Sequence, residues 1–335
     1  MTVWMEGGNR KVAGLAVGAL LLLVGMACSL LFGVHTYKLA DIWTAYARFD
    51  GSNEQLILRT SRVPRTLIAA AVGASLAVAG AVMQVLTRNP LASPSVFGIN
   101  SGASLMIVVG LTAFGSSMTM GSMVWTAFLG AAAAAVCVFA LGAGGGGFEP
   151  IRLTLAGASI AAFASSVTSG LILLNKQSLD AALLWMIGSV SGRKLDHLMI
   201  VLPYMAAGLL IALLLSGSLN VMALGDDNAR SLGQRLGLVR ALSAAAVVLL
   251  AGSAVAAAGP IAFVGLVVPH LCRHLTGSDH RWLLPYCALT GAILLVAADT
   301  ASRLILLPKE VPVGVAMALI GVPFLIRVAR GRRHD

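Results

Sequence analysis

Again and again this chain runs for about twenty residues without a single charge, as in residues 12–33, 123–141 and 153–174. That is the length of apolar helix needed to cross the roughly 30 Å hydrocarbon core of a bilayer. Lipid offers backbone N–H and C=O groups no partners, so each run has to satisfy its own as a helix. A β-barrel is not expected, because the runs are continuous and do not alternate with period two. Composition agrees: 58% of the residues are hydrophobic and 11% charged, and the mean hydropathy is +0.91. A soluble domain of this size needs about a quarter of its residues charged. The chain is therefore expected to be an all-α integral membrane protein. Its 335 residues have room for roughly eight to eleven spans.

The 37 glycines predict helices packed backbone to backbone, since small side chains permit close approach in lipid. A net charge of +10 invites a nucleic-acid reading, but the basic residues sit at span ends and form no run with aromatic neighbours. Anchoring to membrane lipid explains them, and no nucleic-acid partner is expected. The four cysteines, Cys28, Cys137, Cys272 and Cys287, have no CxxC spacing and read as buried thiols.

Taken in order, ten spans emerge: 12–33, 64–86, 96–114, 123–141, 153–174, 197–216, 241–257, 260–272, 282–306 and 311–328. Residues 12–33 exceed a signal-peptide core and read as a retained span. Arg10 and Lys11 before the first span and the basic tail after the last place both termini in the cytoplasm. The bias is shallow, since the 23 basic residues divide as roughly 13 inside and 10 outside. Its exceptions are Arg59, Arg62 and Arg65, clustered at the outer entrance to the second span, with Arg303 near the same level. Together they predict a basic rim able to receive something acidic. Asp299 and Arg303, four apart, are expected to pair within their helix.

The fifth span is rich in small and hydroxyl residues, among them Ser159, Ser165, Ser166 and Ser169. Such a face either packs on a neighbour or lines a wet path. The glycine run from 142 to 147 reads as a linker, since no Gly-Lys-Ser/Thr follows it to hold a phosphate. Residues 183–196 read as a short re-entrant helix on the outer side. His270 and His274 share a helical face from which Cys272 points away, so no ligand set converges there. No metal and no cofactor is expected.

Between the sixth and seventh spans lies a polar island, residues 220–240. Asp226 and Asp227 open a short helix in it, where carboxylates suit the N-terminus, and Asp226 is positioned to pair with Arg230. Ala229, Leu232 and Leu236 form an apolar stripe, and Gly233 and Gly237 break the run. The island is expected to be a cytoplasmic surface through which a partner drives the chain.

At RVPR (62–65), RNPLASPSVFGINSGAS (88–104), GPIAFVGLVVPH (259–270) and the tract 298–321, the chain resembles the iron-siderophore permeases of ABC importers, a family that includes vitamin B12 and haem permeases. The resemblance covers about residues 58–330, and its wording is closer to ferric-citrate and siderophore members than to the B12 branch. It implies a single transmembrane permease domain over residues 1–335 of the type II importer architecture, in a bacterial cytoplasmic membrane. It also implies a second permease subunit, identical or a close sister, and two ATP-binding subunits below. A periplasmic or lipid-anchored substrate-binding protein would deliver an iron-siderophore complex from above. On that resemblance Arg62, Arg65 and Arg303 would meet glutamates of the binding protein. Asn89 and Leu91 on the NPLA turn would form the inner gate. The segment from Asp226 through Asp227, Arg230, Ser231 and Leu232 to Gly233 would sit in the ATPase groove. The chain itself would not be an enzyme, since ATP hydrolysis belongs to the partner. A haem or cobalamin permease of the same family is the nearest alternative. An ion-coupled transporter would want carboxylates or histidines at mid-membrane, whereas the only acid within a proposed span is Asp299, expected to be paired; an intramembrane enzyme would need a nucleophile with its base or a HExxH site, and neither of these patterns is present.

Overall fold

A computed structural model describes residues 7–33, 36–142, 149–174, 179–305 and 309–331. Every regular element among them is helical. In chain order these are α1 (Gly8–Leu31), α2 (Leu39–Ala47), α3 (Asn53–Leu86), α4 (Ile99–Phe114), α5 (Met120–Gly142), α6 (Pro150–Leu174) and α7 (Leu179–Met186). There follow α8 (Leu195–Leu214), α9 (Ser216–Ala223), α10 (Asp226–Ser231), α11 (Leu236–Ala258), α12 (Val264–Thr276), α13 (His280–Leu304) and α14 (Val313–Gly331). Seven of them, α1, α3, α5, α6, α8, α11 and α13, are long and apolar enough to cross a membrane, and α4 and Val313–Arg327 are shorter apolar helices. The remaining expected span, 260–272, corresponds in place to α12, of 13 residues.

Helix α3 is the axis of the molecule, buried along almost its whole length from Val63 to Leu86. A helix apolar all round belongs inside, and small residues let its neighbours come close. A methyl group on Gly73 would overlap the carbonyl oxygen of Gly291 in α13, and one on Gly80 would overlap that of Gly265 in α12. The helix also touches α8 and α11. Outside this centre, α4, α5 and α6 pack on one another, with Gly102 and Gly130 facing each other backbone to backbone. Of the seven long helices, α1 and α6 are the least covered.

Several boundaries differ from the sequence reading. Arg59, Arg62 and Arg65 lie inside α3 and not ahead of it, because the helix begins at Asn53 and passes through a single π-turn at Leu58–Arg62. Pro64 has no N–H to offer the Thr60 carbonyl, and the wider turn absorbs the mismatch as Val63 N–H reaches Leu58 O. Helix α12 starts four residues later than expected, since Gly259 (φ 75°) and Phe263 (φ 69°) hold the intervening chain out of the right-handed region. The polar island is shorter than 220–240: α9 occupies its start and α11 its end, with Gly237 inside α11 instead of breaking it. Cys137 is exposed and Cys28 half-buried, so only Cys272 and Cys287 are buried thiols. Of the glycine-rich linker, residues 143–148 lie outside the described residues, as do residues 332–335 of the basic tail.

Candidate functional site: the two ends of the central helix

From Val63 to Leu86 an α-helix rises about 35 Å, enough to cross the apolar core of a bilayer. Each end of α3 carries an ion-pair cluster, so the two clusters lie at opposite ends of a helix of membrane-spanning length.

At the first end, Arg65 grips the Asp299 carboxylate with Nε, at 3.0 Å to both oxygens, and with Nη2 at 2.9 Å from Oδ1. Its Nη1 donates to Glu310 at 2.6 Å and to Ser191 Oγ at 3.2 Å. Arg303 binds the same Asp299 at 2.7 Å, as its spacing predicts, and donates to Ser29 Oγ (2.6 Å) and Ser29 O (3.0 Å) in α1. Arg62 donates to Phe32 O at 2.5 Å and lies over the Tyr37 ring. Burial raises the Glu310 carboxyl, but hydrogen bonds and charge from Arg65 outweigh it and hold the group below the usual carboxylate range. The three arginines are thus brought together, but not as an open rim. They are 7%, 5% and 1% exposed, because two internal carboxylates and the end of α1 already occupy them. Two carboxylates against three arginines leave one positive charge in the cluster. Arg59 caps Ala45 O at 2.7 Å and lies over Phe49 and Tyr46.

At the other end, the chain leaves α3 through Thr87 and Arg88, the latter at φ 49°. Asn89 builds the turn that follows, its Oδ1 accepting from Leu91 N at 2.9 Å and its carbonyl from Ala92 N at 3.0 Å. Asp226, opening α10, pairs with Arg88 and with Arg240 of α11 (2.6 Å). The expected Asp226–Arg230 pair is therefore replaced: Asp226 points into the body of the protein while Arg230 points out. Likewise Ala229 and Leu236 are buried but Leu232 is 66% exposed, so the three share no stripe. Asp227, Arg230, Ser231, Leu232 and Gly233 all face outward, flanked by exposed Leu224 and Leu238. Gly233, at φ 75°, lets the chain reverse after α10.

Sequence reasoning missed Arg88, Arg240 and Glu310. Arg88 carried a legible signal, a lone charge abutting the NPLA turn; the other two did not, since their partners are 14 and 245 residues away. Elsewhere, the His270 and His274 rings lie 4.9 Å apart with His270 edge-on to Phe324. No group of three or more potential ligands for a metal occurs among the described residues.

The model of the FecCD transport family matches residues 21–331. A probable siderophore transport system permease protein of Bacillus subtilis, YfiZ, is 48% identical over 311 residues, 92% of this chain and 93% of that protein. The Fe(3+)-citrate import system permease protein YfmD of the same organism is 44% identical over 95% of this chain and 94% of its own length. Among solved structures, one assigned to the metal-chelate type of ABC transporter, in an inward-facing conformation, superposes with a TM-score of 0.83 at 28% identity, covering 96% of this chain and 99% of that one.

Proposed function

The chain belongs to the FecCD transport family, and from that membership we propose that it is the permease subunit of an ATP-driven importer of iron(III)-siderophore complexes. It is a multi-pass protein of the bacterial inner membrane. On this reading ten helices span the bilayer with both termini in the cytoplasm, and residues 1–335 act as one permease domain. Support comes from the seven long apolar helices, the two shorter ones and α12 at the expected places.

The observation that carries the reading is the ion pair of Asp226 with Arg88. It ties α10, whose outer face is free to meet a partner, to the residue beside the Asn89–Leu91 turn. An ATPase subunit that moved α10 would pull on that turn directly, and with it on the inner end of α3. Asn89 and Leu91 are accordingly proposed as the inner gate. Asp227, Arg230, Ser231, Leu232 and Gly233 are proposed as the surface that enters the ATPase groove, with Asp226 as the strut behind it. The binding protein is proposed to dock at the opposite end, above Arg62, Arg65 and Arg303. Because Glu310 already holds Arg65 and is the more exposed of its two carboxylates, an incoming glutamate would reach that arginine by displacing Glu310.

A second permease subunit is proposed to cover α6. Helix α1 exposes large apolar side chains suited to lipid, such as Leu20, Leu23 and Val24. Helix α6 exposes large apolar side chains too, such as Leu155 and Phe163, but adds to them Thr154, Ser159, Ser165, Ser166 and Ser169, hydroxyls that a protein face or a wet path rewards more than lipid does.

The strut is tested by Asp226→Asn in the assembled importer. The ATPase subunits are expected to co-purify as before, while chelate uptake per ATP hydrolysed falls at least tenfold. Unchanged coupling would remove Asp226 from the drive train.

A further inference from the structure

Beside the arginine cluster, at the proposed outer end, lies a cavity of about 1010 Å³, the size of a site for a compact small molecule. Its walls come from the end of α4, the start of α5, α7 and the loops 189–193 and 310–312. Among the lining residues is Arg193, 6% exposed. Its polar contacts are weak: Nε donates to Ser189 O at 3.5 Å and Nη1 lies 3.6 Å from Met120 Sδ. No ion pair holds it among the described residues, whereas the equally buried Arg65 and Arg303 share Asp299. Burial alone pushes its guanidinium pKa down, with no carboxylate to offset the effect. Trp185, on the same wall, is 4% exposed, and its Nε1–H makes no hydrogen bond among the described residues. A buried cation without a counter-charge is destabilising, and an orphaned donor adds to that cost.

The surroundings are firmly built. Ser189 N–H donates to Ala258 O at 2.8 Å, and Gly314 N–H to Gly188 O at 3.1 Å. Gly188, Gly259 and Gly314 let three chain segments cross backbone to backbone, since a Cβ on any of them would collide with the next. Glu310 is the acid on the wall, and its charge is taken up by Arg65 at 2.6 Å. What remains is a half-open, mainly apolar cavity with one uncompensated guanidinium.

We propose that this chamber is a binding subsite for an anionic ferric chelate, with Arg193 taking one of its carboxylate groups. A guanidinium offers two parallel N–H donors to a carboxylate, and the apolar wall covers the rest of the ligand. The inference rests on the importer reading and narrows its substrate to chelates bearing free acid groups.

The test uses the complete importer in phosphatidylcholine nanodiscs. The probes are ferric citrate, which is anionic, and a ferric tris-hydroxamate of similar size with no acidic group. Arg193→Gln is expected to weaken ferric citrate binding at least tenfold and leave the hydroxamate unchanged, and Arg193→Lys to recover most of the loss. Arg193→Met is expected to be no less heat-stable than wild type, because it removes a buried charge and breaks no ion pair. Equal binding of ferric citrate by wild type and Arg193→Gln, or no saturable binding by wild type, overturns the subsite. So does parallel loss of both probes, or marked destabilisation by Arg193→Met, either of which marks a structural arginine. ATP-driven uptake by wild type is measured alongside. Uptake of the hydroxamate without a charge-selective defect in Arg193→Gln rejects the subsite and keeps the importer, whereas uptake of neither chelate rejects the importer while binding still decides the subsite.

Discussion

Asp299 sits 1% exposed between two arginines, Arg65 from α3 and Arg303 one turn along its own helix. A carboxylate in that position is affordable only because both guanidiniums meet it. Together they tie α13 to α3 and, through Arg303 and the Ser29–Thr66 hydrogen bond of 2.8 Å, to α1. Asp299→Ala would leave two buried cations facing each other. It is expected to cost roughly 3–5 kcal/mol, read as a lower unfolding temperature and poor recovery of the permease from membranes. Wild-type stability would show that the cluster carries no structural weight. By the same logic Arg65→Glu would set three acids together and damage the fold before it reported on docking. The i,i+4 pair was legible in the sequence because helical spacing dictates it. That Arg65 closes on the same carboxylate from 234 residues away was not, and nothing local distinguishes a span-end arginine that faces a partner from one that faces inward.

Among the helices, position was more legible than extent. The apolar runs fixed where α1, α3, α5, α6, α8, α11 and α13 fall, since each had to satisfy its own backbone in lipid. Their ends moved where a backbone feature intervened: the π-turn before Pro64 carried α3 back to Asn53, and Phe263 at positive φ delayed α12. The small-residue pattern anticipated close packing but not which pairs would meet. Those pairs are now specific. Gly80→Ala is expected to force α3 and α12 apart and sharply reduce the yield of folded protein, because the added methyl collides with the backbone of Gly265 and not with a mobile side chain. Gly25→Ala in α1, where the nearest atom is Val296 Cγ1 at 4.0 Å, is expected to fold normally. Equal yields measured by size-exclusion chromatography in detergent would contradict the assigned contact.

At the scale of the whole molecule, the two ends of α3 divide the work. One end is a closed arginine–carboxylate cluster beside a chamber, and the other an exposed short helix strapped by Asp226 to the turn at Asn89. Among the described residues nothing covers the hydroxyl-bearing face of α6. In a cysteine-free background, Ser166→Cys is expected to cross-link two permease subunits under mild oxidation, while a cysteine replacing exposed Leu23 of α1 is not. The reverse pattern would place the subunit contact on α1. The central claim, that this chain is a conduit worked by ATP through α10, is tested most directly in proteoliposomes containing the permease, its ATPase and its binding protein. Uptake of an iron(III)-siderophore complex is expected to require ATP and all three components, and to fail when Leu232→Asp disrupts the outer face of α10. Uptake that proceeds without the ATPase, or that is indifferent to Leu232→Asp, would contradict the account.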